Sequence, residues 1–220
     1  RSAAGTAHFA PAGTITYTNV TVSGNEASNN QAGIYISGPN ASITVQSSTI
    51  ANNRRTNTAG VGNNGLVAVN NASATVINTI FANNGDRSCS SSHIISLGHN
   101  LSNDFTCPFT ATGDIRGVNP LLGALADNGG PTLTHALDPN SPAIDAGDNA
   151  TCPATDQRGV TRPLDGDNDT TPTCDIGAYE ARTQITIEDI SLLEGNSGTT
   201  NAVFTVTLSP PAATTTVVSY

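Results

Sequence analysis

Ile43-Thr-Val-Gln-Ser-Ser-Thr-Ile-Ala-Asn-Asn53 is the central copy of a phrase that occurs three times in this chain. The earlier copy is Ile15-Thr-Tyr-Thr-Asn-Val-Thr-Val-Ser-Gly-Asn25, and the later copy is Ala74-Thr-Val-Ile-Asn-Thr-Ile-Phe-Ala-Asn-Asn84. The final asparagines are spaced 28 and 31 residues apart. Apolar and polar residues alternate in the first half of each copy, which is typical of a strand with one buried face. Repetition at this period predicts stacked structural units.

A shared pattern of apolar residues indicates how the copies pack. An apolar side chain stands three residues before each final asparagine, at Val22, Ile50 and Phe81. A second apolar strand follows each copy, and these strands span residues 34–36, 66–69 and 94–97. No stretch has the length and periodicity of a crossover helix. The pattern therefore predicts an all-β fold, a parallel β-helix (solenoid) whose equivalent side chains stack about 4.8 Å apart.

The three final asparagines, Asn25, Asn53 and Asn84, are candidates for a stacking ladder at one corner of the coils. Asparagine tolerates the left-handed backbone angles of a tight corner. Its amide can also bond to the coils above and below. They are equally interpretable as simple turn residues, and both interpretations are structural rather than catalytic.

Composition excludes several classes of protein. The net charge of −9 and the absence of lysine disfavour nucleic-acid binding, which needs clustered basic side chains. No apolar run approaches the ~20 residues of a membrane helix, so we expect no membrane contact within this chain. The chain lacks an initiator methionine and a signal-peptide pattern. We therefore expect a mature or truncated product, with any export signal or anchor outside it.

Four cysteines predict two disulfides. They fall as Cys89 and Cys107, 18 residues apart, and Cys152 and Cys174, 22 residues apart. None forms the C-x-x-C pair of a zinc site. Local pairing of each couple is favoured, although the sequence leaves three pairings open. Disulfides predict an oxidising compartment, and hence an extracellular or cell-surface location.

The chain divides into three parts, which are coils over residues 1–125, a cap over 126–182 and the first strands of a β-sandwich over 183–220. Dense turn signals mark the middle part, for example Asp127-Asn-Gly-Gly-Pro131. We expect this part, stapled by its cysteines, to cover the open end of the coils. The last part has three alternating strands, at residues 185–190, 202–208 and 214–220, which is too few for a complete sandwich.

Residues 119–180 resemble the choice-of-anchor Q domain of bacterial surface proteins. The matching phrases are Asn119-Pro-Leu-Leu-Gly123, Leu125-Ala-Asp-Asn-Gly-Gly-Pro-Thr-Leu-Thr-His-Ala-Leu137, Ser141-Pro-Ala-Ile-Asp-Ala-Gly147, Asp156-Gln-Arg-Gly159 with Arg162-Pro163, and Cys174-Asp-Ile-Gly-Ala-Tyr-Glu180. The resemblance implies a right-handed β-helix upstream, an exported location and a variable anchor further along. It implies no chemical activity.

Residues 185–220 resemble the first strands of a Calx-beta domain. The matches are Ile187-Glu-Asp-Ile190, Glu194-Gly-Asn-Ser-Gly198 and Val203-Phe-Thr-Val-Thr-Leu-Ser209. Such domains often bind calcium, but the later acidic loops of the family are missing here. No complete calcium site is therefore implied.

One acidic loop is a candidate cation site. Asp165, Asp167 and Asp169 stand at alternate positions, a layout that can converge on Ca²⁺. It is not an EF-hand loop, because Thr170 replaces the turn glycine. The alternative, which we favour, is a solvated turn. No other cofactor is implied.

The coils lack a catalytic pattern, since Glu26 is the one acidic residue before Asp86 and the histidines are isolated. We also expect Arg158 to order its loop by bonding carboxylates or carbonyls. We therefore predict a non-catalytic structural or adhesive surface protein. Its partners would be other copies, joined by strand addition through the C-terminal strands, or cell-surface components. The alternative is a polysaccharide-active or glycan-binding β-helix. Asn40 and Asn71 are the best glycosylation candidates if the host modifies sequons.

Overall fold

A computed structural model describes residues 7–9, 13–28, 33–56, 62, 65–91, 93–182, 184–193 and 199–209. The described residues form strands, turns and loops without a helix. In chain order the strands are β1 (Ala7–Phe9), β2 (Gly13–Thr18), β3 (Thr21–Ser23), β4 (Glu26–Ala27), β5 (Ile34–Ser37), β6 (Ala41–Gln46), β7 (Thr49–Ala51), β8 (Arg54–Arg55), β9 (Leu66–Val69), β10 (Ser73–Ile77), β11 (Ile80–Ala82), β12 (Cys89–Ser90), β13 (Ile94–Ser96), β14 (Leu101–Ser102), β15 (Ile115–Arg116), β16 (Leu122–Ala126), β17 (Thr134–Leu137), β18 (Gln184–Ile187) and β19 (Val206–Ser209).

Three parallel sheets dominate the fold. Their strand orders are β1-β5-β9-β12 in the first sheet, β13-β10-β6-β2 in the second and β15-β14-β11-β7-β3 in the third. The chain passes through the sheets in the same order each time. Strands β1–β3 form the first coil, β5–β7 the second, β9–β11 the third and β12–β14 the fourth, while β15 belongs to a fifth. The prediction of an all-β fold is confirmed, and these three sheets are parallel, whereas the pairs β16–β17 and β18–β19 are antiparallel.

Equivalent positions of the phrase are direct partners between coils. Val22 pairs with Ile50, and Ile50 pairs with Phe81. In the second sheet Ile15 pairs with Ile43, which pairs in turn with Ala74. The apolar partners point between the sheets, and those of the second and third coils are almost wholly buried. The hydrophobic core is therefore a column enclosed by the three sheets.

One predicted equivalence is wrong. The strand at residues 94–97 was expected to match Ile34 and Leu66, but Ile94 pairs with Ala74 in the second sheet. The partner of Leu66 in the first sheet is Cys89. The fourth coil is shorter than the others, so the small strand that holds the cysteine occupies the position where an apolar strand was expected.

The third sheet is buried on both faces. Residues 117–182, which we call the flank segment, pack against its outer face. The apolar contact joins Ala51, Ile80, Ala82 and Leu101 of the sheet to Leu137, Ala143 and Ile176 of the segment. Apolar residues at successive positions of β7 and β11 explain this, because a strand covered on both sides needs no polar face. We expected residues 126–182 to cover an open end of the coils. The contacts of the flank segment instead run along the side of the coils, on the third sheet.

Residues 107–114 cover part of the core at the last coils. Phe109 packs on Phe81 with ring centroids 5.6 Å apart. The Asp114 carboxylate accepts hydrogen bonds from the backbone N–H groups of Asn100 and Ala111. Phe109 thus supplies an apolar partner to the core at this end, and Asp114 supplies acceptors to two backbone N–H groups.

The C-terminal strands β18 and β19 form an antiparallel pair with Ile185 opposite Leu208. Large apolar side chains on or beside this hairpin are exposed, including Ile187 at 59% and Phe204 at 57%. The predicted strand at residues 214–220 lies outside the described residues. No described helix has the length and hydropathy of a membrane span.

Candidate functional site

The asparagines of the phrase form a continuous hydrogen-bonded ladder. The side-chain nitrogen of Asn25 donates to Oδ1 of Asn53 at 2.8 Å, and that of Asn53 donates to Oδ1 of Asn84 at 2.9 Å. The backbone N–H groups of Asn25 and Asn53 donate to the same two oxygens. The Asn53 and Asn84 amides also donate to the Val22 and Ile50 carbonyls of the preceding coils. Each rung therefore donates forward and accepts from the rung before it.

The first rung lacks its acceptor bond. Asn25 is 5% exposed, and its buried Oδ1 has no hydrogen-bond partner among the described residues. At Asn53 and Asn84 the same oxygen accepts two N–H groups from the preceding asparagine. Within the described part of the chain, the ladder thus ends at the first coil on an acceptor that receives no hydrogen bond.

A cleft of ≈ 820 Å³ lies where the flank segment meets the first coil. One wall is strand β3 with Asn25, and the other is the tip of the β16–β17 hairpin with Gln157. Strand β3 is the edge of the third sheet in the described part of the chain. Leu133, in the hairpin tip, is 46% exposed at this cleft. Asp127 is the one carboxylate among the described residues that line it.

The acidic loop converges on a residue that the sequence did not single out. One carboxylate oxygen each from Asp145, Asp165 and Asp167 lie within 4.8 Å of one another. Asp169 is outside this group, and its backbone N–H donates to the Asp165 and Asp167 carboxylates. Three carboxylates are a suitable start for a Ca²⁺ site, which takes oxygen ligands.

These carboxylates already accept hydrogen bonds from the backbone of the loop. The Asp145 carboxylate accepts the backbone N–H groups of Gly166 and Asp167, the latter at 2.8 Å. Burial raises the pKa of Asp145 to about 6, and the nearby negative charges of Asp167 and Asp165 add to this increase. The hydrogen bonds are those of a self-contained loop. The cluster fits a cation, but the solvated turn accounts for its contacts without one.

A second charged cluster lies inside the flank segment. Arg158 is paired with Asp156 at 2.7 Å, and Arg162 with Glu180 at 3.1 Å, with all four side chains nearly or fully buried. The Arg158 guanidinium carbon also lies 3.5 Å from the centre of the Tyr179 ring. Charges this deep need partners, because an unpaired buried ion is costly. The contacts of Arg158 match the ordering role expected for it.

Asp175 completes this buried cluster. Its carboxylate accepts the backbone N–H groups of Asp145 and Ala181. Burial, followed by the charge of Glu180, raises the pKa of Asp175 well above its ordinary value. Burial also raises the pKa of Glu180, while the charge of Arg162 opposes the shift. Because Asp175 and Glu180 are at most 1% exposed, a sugar chain cannot reach this pair of acids.

Both disulfides are local. Cys89 is bonded to Cys107, and Cys152 to Cys174, so the described part of the chain holds no free cysteine. The first bond joins the fourth coil to residues 107–114, and the second lies within the flank segment. Two disulfides are typical of a protein from an oxidising environment.

The glycosylation candidates lie on exposed turns. Asn40 follows β5 and Asn71 follows β9, and both side chains are exposed. Asn71 has a left-handed backbone with φ of 64°. These positions are accessible, and whether they are modified depends on the host.

Comparisons with protein-family models, with curated proteins and with solved structures found no match to this chain. The resemblances to the choice-of-anchor Q and Calx-beta families therefore stay predictions. Two residues of interest were missed by sequence reasoning, Asp145 and His135. Asp145 is too distant in sequence from Asp165 for any spacing pattern to connect them. His135 was considered isolated, yet it is buried and hydrogen-bonded to Ser23.

Proposed function

We propose that this chain is a non-catalytic structural or adhesive protein of the extracellular surface. Its described coils would form a right-handed parallel β-helix that serves as a rigid module. The observation that carries the proposal is the in-register stack, in which backbone pairing and an asparagine ladder join the first coil to the second and the second to the third. Such a stack resists bending because every coil bonds to its neighbour along the axis.

The arrangement of acidic groups supports a role without turnover. Glycoside hydrolysis needs two carboxylates on either side of a bound sugar. The cleft offers Asp127 alone among its described lining residues. The paired acids Asp175 and Glu180 are buried inside the flank segment. The exposed acidic loop uses its carboxylates to hold its own backbone.

Exposed apolar strands support assembly as part of this function. Ile187, Phe204 and Val206 are about half exposed or more on the C-terminal hairpin. An antiparallel pair of two strands is rarely stable alone and gains from further strands. We therefore propose that copies of the chain, or other cell-surface components, add strands through this region.

Glycan binding is the second candidate, and one observation favours it. The cleft is large enough for a small ligand, and Tyr17, Asn19 and Gln157 line it. Aromatic and amide side chains of this kind contact sugars. The cleft would then bind a glycan without cleaving it.

The proposed function is tested by combining two measurements on the full chain. Incubation with acidic and neutral polysaccharides should yield no new reducing ends and no unsaturated products. Electron microscopy and sedimentation should show elongated particles whose mass increases with concentration. Release of sugar products would overturn the structural role, whatever the state of assembly.

A further inference from the structure

Ser23 and His135 form a hydroxyl–imidazole pair that the structural role does not use. The Ser23 Oγ lies 2.8 Å from Nε2 of His135. The other ring nitrogen, Nδ1, lies 2.7 Å from the carbonyl oxygen of Gly123, which can only accept a hydrogen bond. Nδ1 therefore carries the ring hydrogen, and Nε2 accepts the hydrogen of the hydroxyl. A serine whose hydrogen points at a neutral imidazole is arranged as a nucleophile beside its base.

The position of the ring is fixed by the hairpin of the flank segment. His135 lies on β17, and Gly123 lies on β16 where the register of the two strands shifts between Leu122 and Leu125. Burial lowers the pKa of His135, and the bond to the Gly123 carbonyl opposes this effect. The same carbonyl stabilises the positive ring that forms when Nε2 takes a proton. The hairpin thus supplies both the base and the group that orients it.

The nucleophile lies at the cleft, and its base lies behind it. Ser23 is among the residues that line the cleft of ≈ 820 Å³, a volume in the range of small-molecule sites. Ser23 is 8% exposed and His135 is 2% exposed. Leu125 and Leu133 line the cleft as well, and its described lining holds no basic side chain. The cleft therefore suits a small, uncharged reagent with an apolar group.

The backbone of β3 offers a donor for a developing oxyanion. The Val20 carbonyl and the Gly24 N–H bond to the second coil. Backbone groups of alternate residues face opposite neighbours, so the Ser23 N–H faces away from that coil. Strand β3 is the edge of its sheet in the described part of the chain, so no described strand pairs with this N–H. It lies beside the Oγ of its own residue, where attack on a carbonyl would create a negative oxygen.

We propose that Ser23 is an acyl-acceptor site, which takes one acyl group from an activated ester, either an aryl ester or a thioester, that enters the cleft. Nε2 of His135 removes the Oγ proton while Oγ bonds to the carbonyl carbon. The bond from this carbon to the leaving oxygen or sulfur then breaks, and the leaving group departs as an anion. The ring afterwards returns its proton to solvent. This inference goes beyond the proposed function, because it adds a covalent attachment to a structural protein.

We expect the acyl group to stay on Ser23. Hydrolysis of the new ester needs a water molecule beside Nε2, and His135 is 2% exposed. A phenolate or thiolate leaving group, in contrast, departs without taking a proton from the ring. Attachment should therefore be faster than release, so that the site reacts once and does not turn over.

The probe is p-nitrophenyl acetate, added to the full chain with its disulfides intact. We expect a burst of about one nitrophenolate per chain, and mass spectrometry of proteolytic peptides should place the acetyl group on Ser23. Ser23→Ala should remove the burst. Ser42 is the control within the same chain, since it is more exposed than Ser23 and its Oγ contacts Thr14 Oγ1 instead of a ring. Ser23 should be acetylated at least about tenfold faster than Ser42, and comparable rates would overturn the assignment.

The role of the ring is tested with His135→Gln. The glutamine oxygen can accept a hydrogen bond from the hydroxyl, but it does not take up the proton. The acetylation rate of Ser23 should fall about hundredfold or more. His93→Gln replaces an exposed histidine whose Nδ1 lies 3.4 Å from Ser91 Oγ, and it should leave the rate unchanged. An unchanged rate in His135→Gln would overturn the role of the base. If that variant unfolds, the ratio of Ser23 to Ser42 acetylation in the unmodified chain still decides.

The outcomes separate this inference from the proposed function. A chain that is never acetylated on Ser23 overturns the acyl-acceptor site and leaves the rigid module intact. Compact particles that do not associate would overturn the structural role without affecting the chemistry of Ser23. Sustained nitrophenolate release that Ser23→Ala abolishes would overturn both the lasting attachment and the non-catalytic role.

Discussion

His135 Nε2 lies 2.8 Å from the Ser23 hydroxyl, although 112 residues separate them in the chain. The other ring nitrogen, Nδ1, lies 2.7 Å from the carbonyl oxygen of Gly123. A carbonyl can only accept, so Nδ1 carries the hydrogen and Nε2 accepts from the hydroxyl. The neutral ring thus connects the first coil to the hairpin of the flank segment.

The neutral state of His135 predicts a loss of stability in mild acid. Burial lowers the pKa of His135 below its ordinary value of 6.5. The unfolded chain therefore takes up the proton first, and the stabilisation declines as pH falls from 6.5 towards the lowered pKa. Thermal unfolding at pH 7 and pH 5 should show a smaller decrease for His135→Gln than for the unmodified chain. Identical decreases in the melting temperature of the two chains would contradict a neutral, stabilising His135.

Asn53 should be the most sensitive rung of the ladder. It is fully buried and exchanges hydrogen bonds with Asn25, Asn84 and Val22. We expect Asn53→Ala to lower the free energy of unfolding by about 2–4 kcal/mol, because several buried groups lose their partners. Asn25→Ala is the matched control and should cost about 1 kcal/mol, because it removes a single side-chain bond. Denaturant titration with the disulfides intact measures both, and equal losses would argue against a cooperative ladder.

Gly177 lies where the flank segment packs closely on the third sheet. A Cβ at this position would lie 2.7 Å from Cδ1 of Ile80 and 3.0 Å from Oγ1 of Thr49. Gly177→Ala should destabilise the chain by about 2–4 kcal/mol, from this overlap and from its positive φ. Gly159 also has a positive φ, but a Cβ there meets nothing within 4 Å. Gly159→Ala should therefore cost only about 1 kcal/mol, and a similar loss for both variants would mean that the contact is unimportant.

Asp145 should destabilise the fold when it ionises. Its pKa is raised from 3.8 to about 6, so the folded chain holds the proton more tightly than the unfolded chain. Stability contributed by this group therefore falls as pH rises between these values. Asp145→Asn should raise the melting temperature at pH 7 and leave it unchanged near pH 4.

Added calcium separates the two interpretations of the acidic loop. If the loop is a solvated turn, Ca²⁺ should leave the melting temperature of both the unmodified chain and Asp145→Asn unchanged. Asp138→Asn, in an exposed turn, controls for the loss of one negative charge. Stabilisation by Ca²⁺ that disappears in Asp145→Asn alone would establish a cation site in place of the turn.

Much of the coil pairing could be predicted from the phrase, because repetition determines which residues become neighbours. Ile50 and Phe81 stand at the same offset from their asparagines, and they pair. The contact between the outer face of the third sheet and the flank segment could not be predicted in this way. Thr49-Ile50-Ala51 is buried at every position, which hides the alternation used to assign an outward face.

The flank segment could not be placed from sequence, because its contacts depend on long-range packing. Turn signals around Asp145 indicated an irregular region, and the choice of surface is decided by Ala51 and Ile80 on the sheet. The same limit applies to the acidic loop. Spacing suggested Asp169 as a ligand, whereas the fold brings Asp145 to Asp165 and Asp167.

The flank segment touches four successive coils. Its hydrogen bonds join His135 to Ser23, Ala178 to Thr49, Asp148 to Asn78 and Ala146 to His99. One more coil in the middle would lengthen the stack by about 4.8 Å. The hydrogen-bond partners on the two sides of the insertion could then no longer all be reached by the same flank segment. The spacing of contacts along the flank segment therefore has to match the spacing of the coils. The number of coils and the length of this segment must then change together during evolution.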